Sequence, residues 1–422
     1  MNPPILVLIL AGGKSERLHP LGRLRTAPAL PYGGKYRVID FSLSNCVHSG
    51  LHRIGMLTQY APMSLHGHIG IGRAWDLDRR DGGIRLLQPY VRQRETNWYR
   101  GTADALVQNR NVIADAQARH ILVLSGDLVT KMDYAPLIAR HEERGAALTM
   151  VTVAAPSDES ERYGYVSVDG HGRVRGLNEK PSKPDGAEIS AGIYLFRARD
   201  LRERLDAPDL GPDLVRDIVQ PMIAAGESVD ADRFDSYWRD VGTIDAYYDA
   251  SMELLKPIPA LNLHDHDWPI YTPSEDRAPA IVLGDGDTTM SLVAHGTRIE
   301  GVVRRSIIFP GVHVGPGAVV EDSIIFHDTR VLPRSHVSRA IVDKGARVGE
   351  GATVGAGEAI PNREYPHDLS SGLTVLGKGA EVPAGSRIGR NTIVDMGVRE
   401  SDFTAREIPP GSYVRTSALR RR

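Results

Sequence analysis

The chain has 422 residues, 41% hydrophobic and 25% charged, the profile of a globular protein large enough for two or three domains. Lys and Arg number 51 against 53 Asp and Glu, so net charge gives no argument for a nucleic-acid or membrane partner. The lone Cys46 excludes an internal disulfide and a cysteine zinc cluster and suits a reducing cytoplasm.

The first apolar run, "ILVLILA" (5–11), is too short to span a membrane and has no basic segment before it, so it reads as a strand rather than a signal peptide. It stops at Gly12-Gly13 and delivers Lys14, Ser15, Glu16 and Arg17. Helix candidates follow in "DFSLSNCVHSG", "TADALVQNRNVIADA" and "DYAPLIARHEERG", the last with Gly145 as its C-cap. Between and after them lie strand candidates "RIGMLTQY" (53–60), "HILVLSGD" (120–127), "ALTMVTV" (147–153) and "GIYLF" (192–196). Apolar strands alternating with helices predict a Rossmann-like α/β domain over 1–255 with a mostly parallel sheet covered on both faces. Ligands bind such sheets beyond the carboxyl ends of the strands, where the loops after Ala11 and at Asp127 would lie.

Residues 256–290 are proline-rich and lack periodicity, which marks a linker. Beyond it the period changes. Val302, Ile308, Val314, Val320, Phe326 and Leu332 are six residues apart. After a slip of four, the spacing resumes at Val342, Val348, Val354 and Ile360, and after an insertion at Leu376, Val382, Ile388 and Val394. A hexapeptide repeat with one aliphatic residue per short strand predicts a parallel β-helix over 291–400, followed by a tail at 401–422.

The glycine loop does not fit two common nucleotide motifs. "AGGKSERLHPLG" lacks the dinucleotide G-x-G-x-x-G, and "GGK" lacks the first glycine of a P-loop. It can be a Gly-Gly turn whose N–H groups cradle phosphates beside Arg17, or a plain strand-to-helix turn with surface charge. Asp127 in "LSGD" and Asp240 in "WRDVGT" would each, taken singly, be a turn or cap residue. Together, two such carboxylates can hold one Mg²⁺ that keeps coordination sites for phosphate.

The motifs "LILAGGKSERL", "GGKYRVIDFSLSNCVHSG", "NWYRGTADAL", "LSGD", "NEKP", "SAGIYLF" and "YWRDVGT", in that order and ahead of the hexapeptide repeat, resemble the glucose-1-phosphate adenylyltransferase family along nearly the whole chain. The resemblance implies transfer of the adenylyl group of ATP to α-D-glucose 1-phosphate with Mg²⁺, giving ADP-glucose for glycogen or α-glucan synthesis, and a left-handed β-helix. It also implies a homotetramer or a hetero-oligomer with a paralogous subunit. Residue by residue it implies catalytic roles for Arg17, Asp127 and Asp240, with the two aspartates as metal ligands. Tyr99, Gly164, Glu179, Lys180 and Ser190 match the glucose 1-phosphate contacts. Gly12, Gly13, Arg17 and Arg25 match the nucleotide loop, with Gln59 and Gly101 on the adenine side. Lys35 and Arg37 are candidates for an effector anion.

Four residues depart from the family pattern: Ser15, Leu24, Ala27 and Leu128. Ala27 stands where catalytic subunits carry a lysine, which leaves open a catalytically weak regulatory subunit as well as a related sugar nucleotidyltransferase that uses another nucleotide. A third reading, the β-helix as an acyltransferase domain, leaves the N-terminal motifs without a role.

Overall fold

The computed structural model describes residues 5–90, 98–156, 162–181 and 186–416. The chain forms two compact units. The first takes the described residues of 1–13, 39–238 and 266–271, the second those of 14–38, 239–265 and 272–422.

The first unit is built on a nine-stranded sheet among the described residues. Gly83–Leu87, Arg53–Leu57, Ile5–Leu10 and His120–Ser125 lie side by side in that order and run parallel. Val7, Leu8 and Ile9 are fully buried, as expected of a strand packed on both faces. "GIYLF" belongs to the longer strand Glu188–Arg197, which runs antiparallel to His120–Ser125 and to Leu148–Ala154. The sheet is therefore parallel on one side and largely antiparallel on the other. A break in register between Ser190 and Tyr194, with Gly192 at φ 74°, bends the long strand where it changes neighbours.

Two helix expectations resolve differently. Gly145 closes Ala135–Arg144 in the left-handed conformation at φ 59°. The segment expected as one helix over 102–116 is two, Thr102–Gln108 and Arg110–Asp115. Asn109 stands at the break, and its side-chain amide donates to the Ala105 carbonyl and to the Tyr99 hydroxyl, both at 2.9 Å. A side chain that bonds back to its own turn competes with the helix ladder.

The second unit contains a parallel β-helix of three sheets, whose strands run from Ile281–Val282 to Tyr413–Val414 and so extend past both edges of 291–400. The register pairs Val302 with Val319 and Ile307 with Ile324, so one coil is 17 residues rather than three hexapeptides. The buried column runs Val303, Ile308, Val314, Val320, Ile325, Val331, Val337, Val342, Val348 and Val354, in steps of five, six and six. This corrects the strict six-residue reading. Val302 and Leu332 are only partly buried, Phe326 packs on Phe309 and Tyr247, and Ile360 is 47% exposed in an insertion. In the coils from Val303 to Val354 one corner is a residue shorter, which is why the apparent phase slipped.

Within the second unit, Lys14–Val38 is tied to the coils at three points. Arg25 forms a two-pronged pair with Asp343, both contacts 2.9 Å and both side chains buried. Arg23 donates to Asp395 at 2.6 Å, and His19 meets Asp368 at 2.9 Å with its ring 4.3 Å from that of Tyr365. The helix Ile244–Met252 is held by Tyr247, which donates to the Pro31 carbonyl, and by Tyr248, which donates to the Asp322 carbonyl.

The first unit also buries two histidines. His141 is 1% exposed, its Nδ1 lies 2.7 Å from Thr149 Oγ1, and its ring is 4.9 Å from that of His120. Burial, with His120 and Arg197 nearby, pushes the His141 pKa down to about 4. The unfolded chain binds this proton first, so the stabilisation is complete above pH 6.5 and is lost as pH falls towards 4. One such site corresponds to about 3 kcal/mol. Urea denaturation at pH 7 and pH 4.5 should show this loss, and His141→Gln should remove much of the difference. An unchanged pH dependence in that variant would place the acid sensitivity elsewhere.

Candidate active site

In the first unit, three neighbouring parallel strands end together. Leu10 lies opposite Leu57 and Ser125, and beyond them the chain continues into Gly12, Gln59 and Asp127. Backbone bonds extend the strands by one step: Ala11 N–H donates to Leu57 O at 2.9 Å and Gly126 N–H to Leu10 O at 3.0 Å. The two loop glycines are not equivalent. A Cβ on Gly12 would sit 3.3 Å from both the Cβ and the backbone nitrogen of Gln59, whereas one on Gly13 would meet nothing within 4 Å. Gly12 is tightly packed against the Gln59 segment, and Gly13 faces open space. Asp127 is partly buried, and Ser125 Oγ donates to its Oδ1 at 2.5 Å.

Gln59 and Tyr99 clasp each other. Gln59 Nε2 donates to the Tyr99 carbonyl at 3.1 Å, and Tyr99 N–H donates to Gln59 Oε1. The Tyr99 ring lies in the core at 8% exposure with its hydroxyl accepting from Asn109, and burial raises its pKa. Gly101 is required by its neighbour, since a Cβ there would fall 2.4 Å from the Pro212 carbonyl oxygen.

A second cluster in the same unit gathers four of the expected sugar-phosphate residues. Gly164 and Glu179 are opposite each other on paired strands, and a Cβ at Gly164 would lie 2.6 Å from Glu179 Oε2. Lys180 Nζ is 3.5 Å from Glu179 Oε1. Lys180 takes φ 49°, a left-handed conformation unusual for a side-chain-bearing residue, and its N–H donates to the Tyr163 carbonyl. Burial raises the Glu179 pKa, while Lys180 opposes that shift. Ser190 Oγ is 2.8 Å from the Tyr194 hydroxyl. Trp238 Nε1 donates to the Ala191 carbonyl at 3.1 Å, and its ring is 5.8 Å from that of Tyr163. Tyr163, Tyr194 and Trp238 were not singled out from the sequence, although Tyr194 and Trp238 lie inside "SAGIYLF" and "YWRDVGT". A carboxylate, a cation and hydroxyls carried by three neighbouring strands can recognise a polyol bearing a phosphate.

In the second unit, Arg17 and Asp240 are brought together. A Cβ built on Gly242 would lie 2.9 Å from Asp240 Oδ1 and 3.6 Å from Arg17 Nη2. Gly242 N–H donates to Asp240 Oδ1 at 2.8 Å, and Thr243 caps the helix Ile244–Met252 by accepting from Ala246 N–H. Arg25 does not join Arg17, because both prongs of its guanidinium are taken by Asp343. Ala27 is 2% exposed, and its N–H donates to Ser15 Oγ at 2.8 Å, so two of the four departures are bonded to each other. Of the effector candidates, Lys35 is exposed over the Tyr36 ring, while the Arg37 charge acts on Lys344 and His327.

Residues 6–257 match the nucleotidyl transferase family model, and residues 282–376 match the GlmU-like C-terminal hexapeptide model. The chain is 46% identical to a glucose-1-phosphate adenylyltransferase of Thermomicrobium roseum, with 97% of each chain covered. It is 40% identical to proteins of the same name from Acetivibrio thermocellus, with 97% of each covered, and from Thermotoga maritima, with 97% and 98% covered. The chain belongs to the glucose-1-phosphate adenylyltransferase family. The chain carries both loop glycines, Asp127, the Glu179-Lys180 pair and Asp240, the residues that its motifs single out.

The different surroundings of the glycines yield a paired expectation. Gly101→Ala should destabilise the protein by about 1–3 kcal/mol, because the added methyl meets backbone that must shift. Gly13→Ala should change stability by less than about 0.5 kcal/mol yet weaken ATP binding. Denaturant titration and nucleotide-binding isotherms of both variants would check this. Equal destabilisation by the two would contradict the open face at Gly13.

Proposed function

We propose that the chain transfers the adenylyl group of ATP to α-D-glucose 1-phosphate, releasing pyrophosphate and forming ADP-glucose. The observation that carries the reading is similarity to adenylyltransferases over 97% of the chain. In this reaction the sugar phosphate oxygen attacks the α-phosphorus and pyrophosphate leaves in line. The substrate brings the nucleophile, so the protein has chiefly to align two anions and offset their charge.

Under this reading, Glu179 accepts hydrogen bonds from sugar hydroxyls while Lys180 meets the sugar phosphate. The open face of Gly13 and the Arg17 guanidinium receive the triphosphate. Mg²⁺, when bound, would neutralise phosphate charge, and Asp127 and Asp240 are the residues proposed to hold it. The donor set suits a hard cation. Asp127 and its Ser125 neighbour offer only oxygen. Assembly as a homotetramer, or with a paralogous subunit, belongs to the same proposal. Among the described residues no helix is long and apolar enough to cross a membrane.

Pyrophosphate release with ATP, UTP, GTP and dTTP, each with glucose 1-phosphate, tests the reaction. ATP should give the highest kcat/KM, and a clear preference for UTP or dTTP would overturn the nucleotide assignment. In the same assay Ala27→Lys should raise turnover about 10-fold, the worth of one charge-assisted contact made in the transition state. Wild type that is inert alone but activates or retunes a paralogue would establish the regulatory-subunit reading instead.

A second reading, regulation by a phosphate-bearing anion, rests on Lys344. Its side chain is partly buried, and its ammonium has no ion pair within 4.0 Å among the described residues. Burial and the charges of Arg37 and Arg25 push its pKa down to about 8. The neighbouring His327 is held neutral, its pKa pushed to about 2 by burial and by Lys344, Arg37 and other cations. Lys344 sits beside Arg37 and Arg25, with Asp343 and Glu275 only partly offsetting the fall in its pKa, and such a cluster of cations favours an anion. Lys344 is charged below about pH 8 and neutral above it. Inorganic phosphate should therefore raise Tm at pH 7 and lose the effect by pH 9, and Lys344→Met should abolish it at both. Undiminished phosphate stabilisation in Lys344→Met would exclude this residue from the site.

A further inference from the structure

A chain of three hydrogen bonds in the first unit joins stretches far apart in sequence. Trp268 Nε1 donates to Asn45 Oδ1 at 3.0 Å, Asn45 Nδ2 donates to the Thr130 carbonyl at 2.9 Å, and Thr130 Oγ1 donates to the Tyr237 carbonyl at 2.7 Å. Asn45 is fully buried and Thr130 is 2% exposed. An indole N–H can only donate, so Trp268 must face the oxygen of the Asn45 amide, which turns the NH₂ group towards Thr130. The indole fixes the Asn45 amide, and the Tyr237 carbonyl, which can only accept, fixes the Thr130 hydroxyl as donor.

The near end of the chain is a strap. Residues His266–Tyr271 lie on the helix Val38–His48, held at three of its positions. Tyr271 N–H donates to Ser44 Oγ at 2.9 Å, Trp268 reaches Asn45, and His48 Nε2 lies 2.7 Å from the Pro269 carbonyl. The His48 ring is 4.6 Å from that of Trp268 and stacks on that of Tyr271 at 5.0 Å. The far end touches two segments that carry chemistry. Thr130 ends the strand Leu128–Thr130, which follows Asp127 without a gap. Tyr237 directly precedes Trp238, which is bonded to the strand of Ser190, and lies three residues before Asp240.

We infer that Asn45, oriented by Trp268, and Thr130 are positioning residues that fix the backbone of the Asp127 and Asp240 segments. The inference rests on the proposed role of those two aspartates. Two of the three acceptors are main-chain carbonyls, so the bonds set the course of the backbone rather than the rotamer of a side chain. Asn45 and the Thr130 side chain are buried, so a partner lost there is poorly replaced by solvent. A displacement of about 1 Å at a catalytic group can cost about 100-fold in rate, which gives a buried hydroxyl far from any substrate a kinetic consequence.

Full-length wild type, Thr130→Val, Thr130→Ser and Trp268→Phe would be compared by amide hydrogen exchange over residues 125–131 and 235–241, by Tm, and by steady-state kinetics against Mg²⁺ and glucose 1-phosphate. Valine keeps the shape of threonine without its donor, and phenylalanine keeps a ring without the indole N–H. Thr130→Val should speed exchange about 10-fold in both segments and raise the half-activating Mg²⁺ concentration about 5-fold, with KM for glucose 1-phosphate within about twofold. Thr130→Ser should restore both, and Trp268→Phe should shift them in the same direction by less. Unchanged exchange over 235–241 in Thr130→Val, an unchanged Mg²⁺ requirement, or failure of serine to rescue would overturn the inference. Asp127→Asn separates the two claims: full turnover in that variant sinks the role of Asp127. Exchange in Thr130→Val then still supports the relay if both segments accelerate, and overturns it if they do not.

Discussion

The second unit depends on one buried ion pair. Arg25 and Asp343 are 318 residues apart in sequence and face each other through two parallel contacts, with side chains 4% and 0% exposed. Charges this far from water are tolerable only in each other's company, and removing one partner of such a pair costs about 3–5 kcal/mol. The pair therefore decides where the segment after the glycine loop can go. Arg23 on Asp395 and His19 on Asp368 extend the same clamp along Lys14–Val38. Arg17 lies inside this clamped stretch, so its place beside Asp240 is inherited from contacts made by its neighbours.

The same pair explains why a plausible functional cation is not available. An arginine in a basic stretch beside a phosphate loop looks like a phosphate ligand, but a guanidinium with a two-pronged carboxylate partner has its planar face of donors already matched. Lys344, one residue from Asp343, shows the converse. Its ammonium is partly buried beside Arg37 and Arg25 without a carboxylate of its own, and its pKa falls accordingly. Whether a cation is structural or functional depends here on which carboxylate reaches it.

In the first unit the controlling constraint is backbone proximity. Gly101 is a glycine because another backbone lies where a Cβ would be, Gly12 has little room beside Gln59, and Gly164 lies against the Glu179 carboxylate. Polar side chains then complete the frame. The Gln59 amide pairs with the Tyr99 peptide, and Asn109 breaks a helix in order to hold the Tyr99 hydroxyl. Loops at the carboxyl ends of parallel strands have no ladder of their own, and these amide contacts supply the missing partners.

Much of the architecture was legible in the residues because it follows from local periodicity. Unbroken apolar runs such as Ile5–Leu10 and His120–Ser125 could only be buried strands, Gly145 could only end its helix, and recurring aliphatics could only stack into coils. Gly164 and Glu179 lie opposite each other on paired strands with Lys180 beside them. What the sequence could not show was decided by partners far along the chain. The 17-residue coil depends on a corner shorter by one residue, visible only once strands are in register. The commitment of Arg25 to Asp343, of Gln59 to Tyr99 and of Tyr99 to the core are contacts between side chains and groups that no local period brings together. Burial and hydrogen bonding act on whatever is adjacent in space. The chain by itself therefore determined which residues had to be inside and which could carry charge, and only the tertiary structure decided which charges were already satisfied and which were left to meet a ligand.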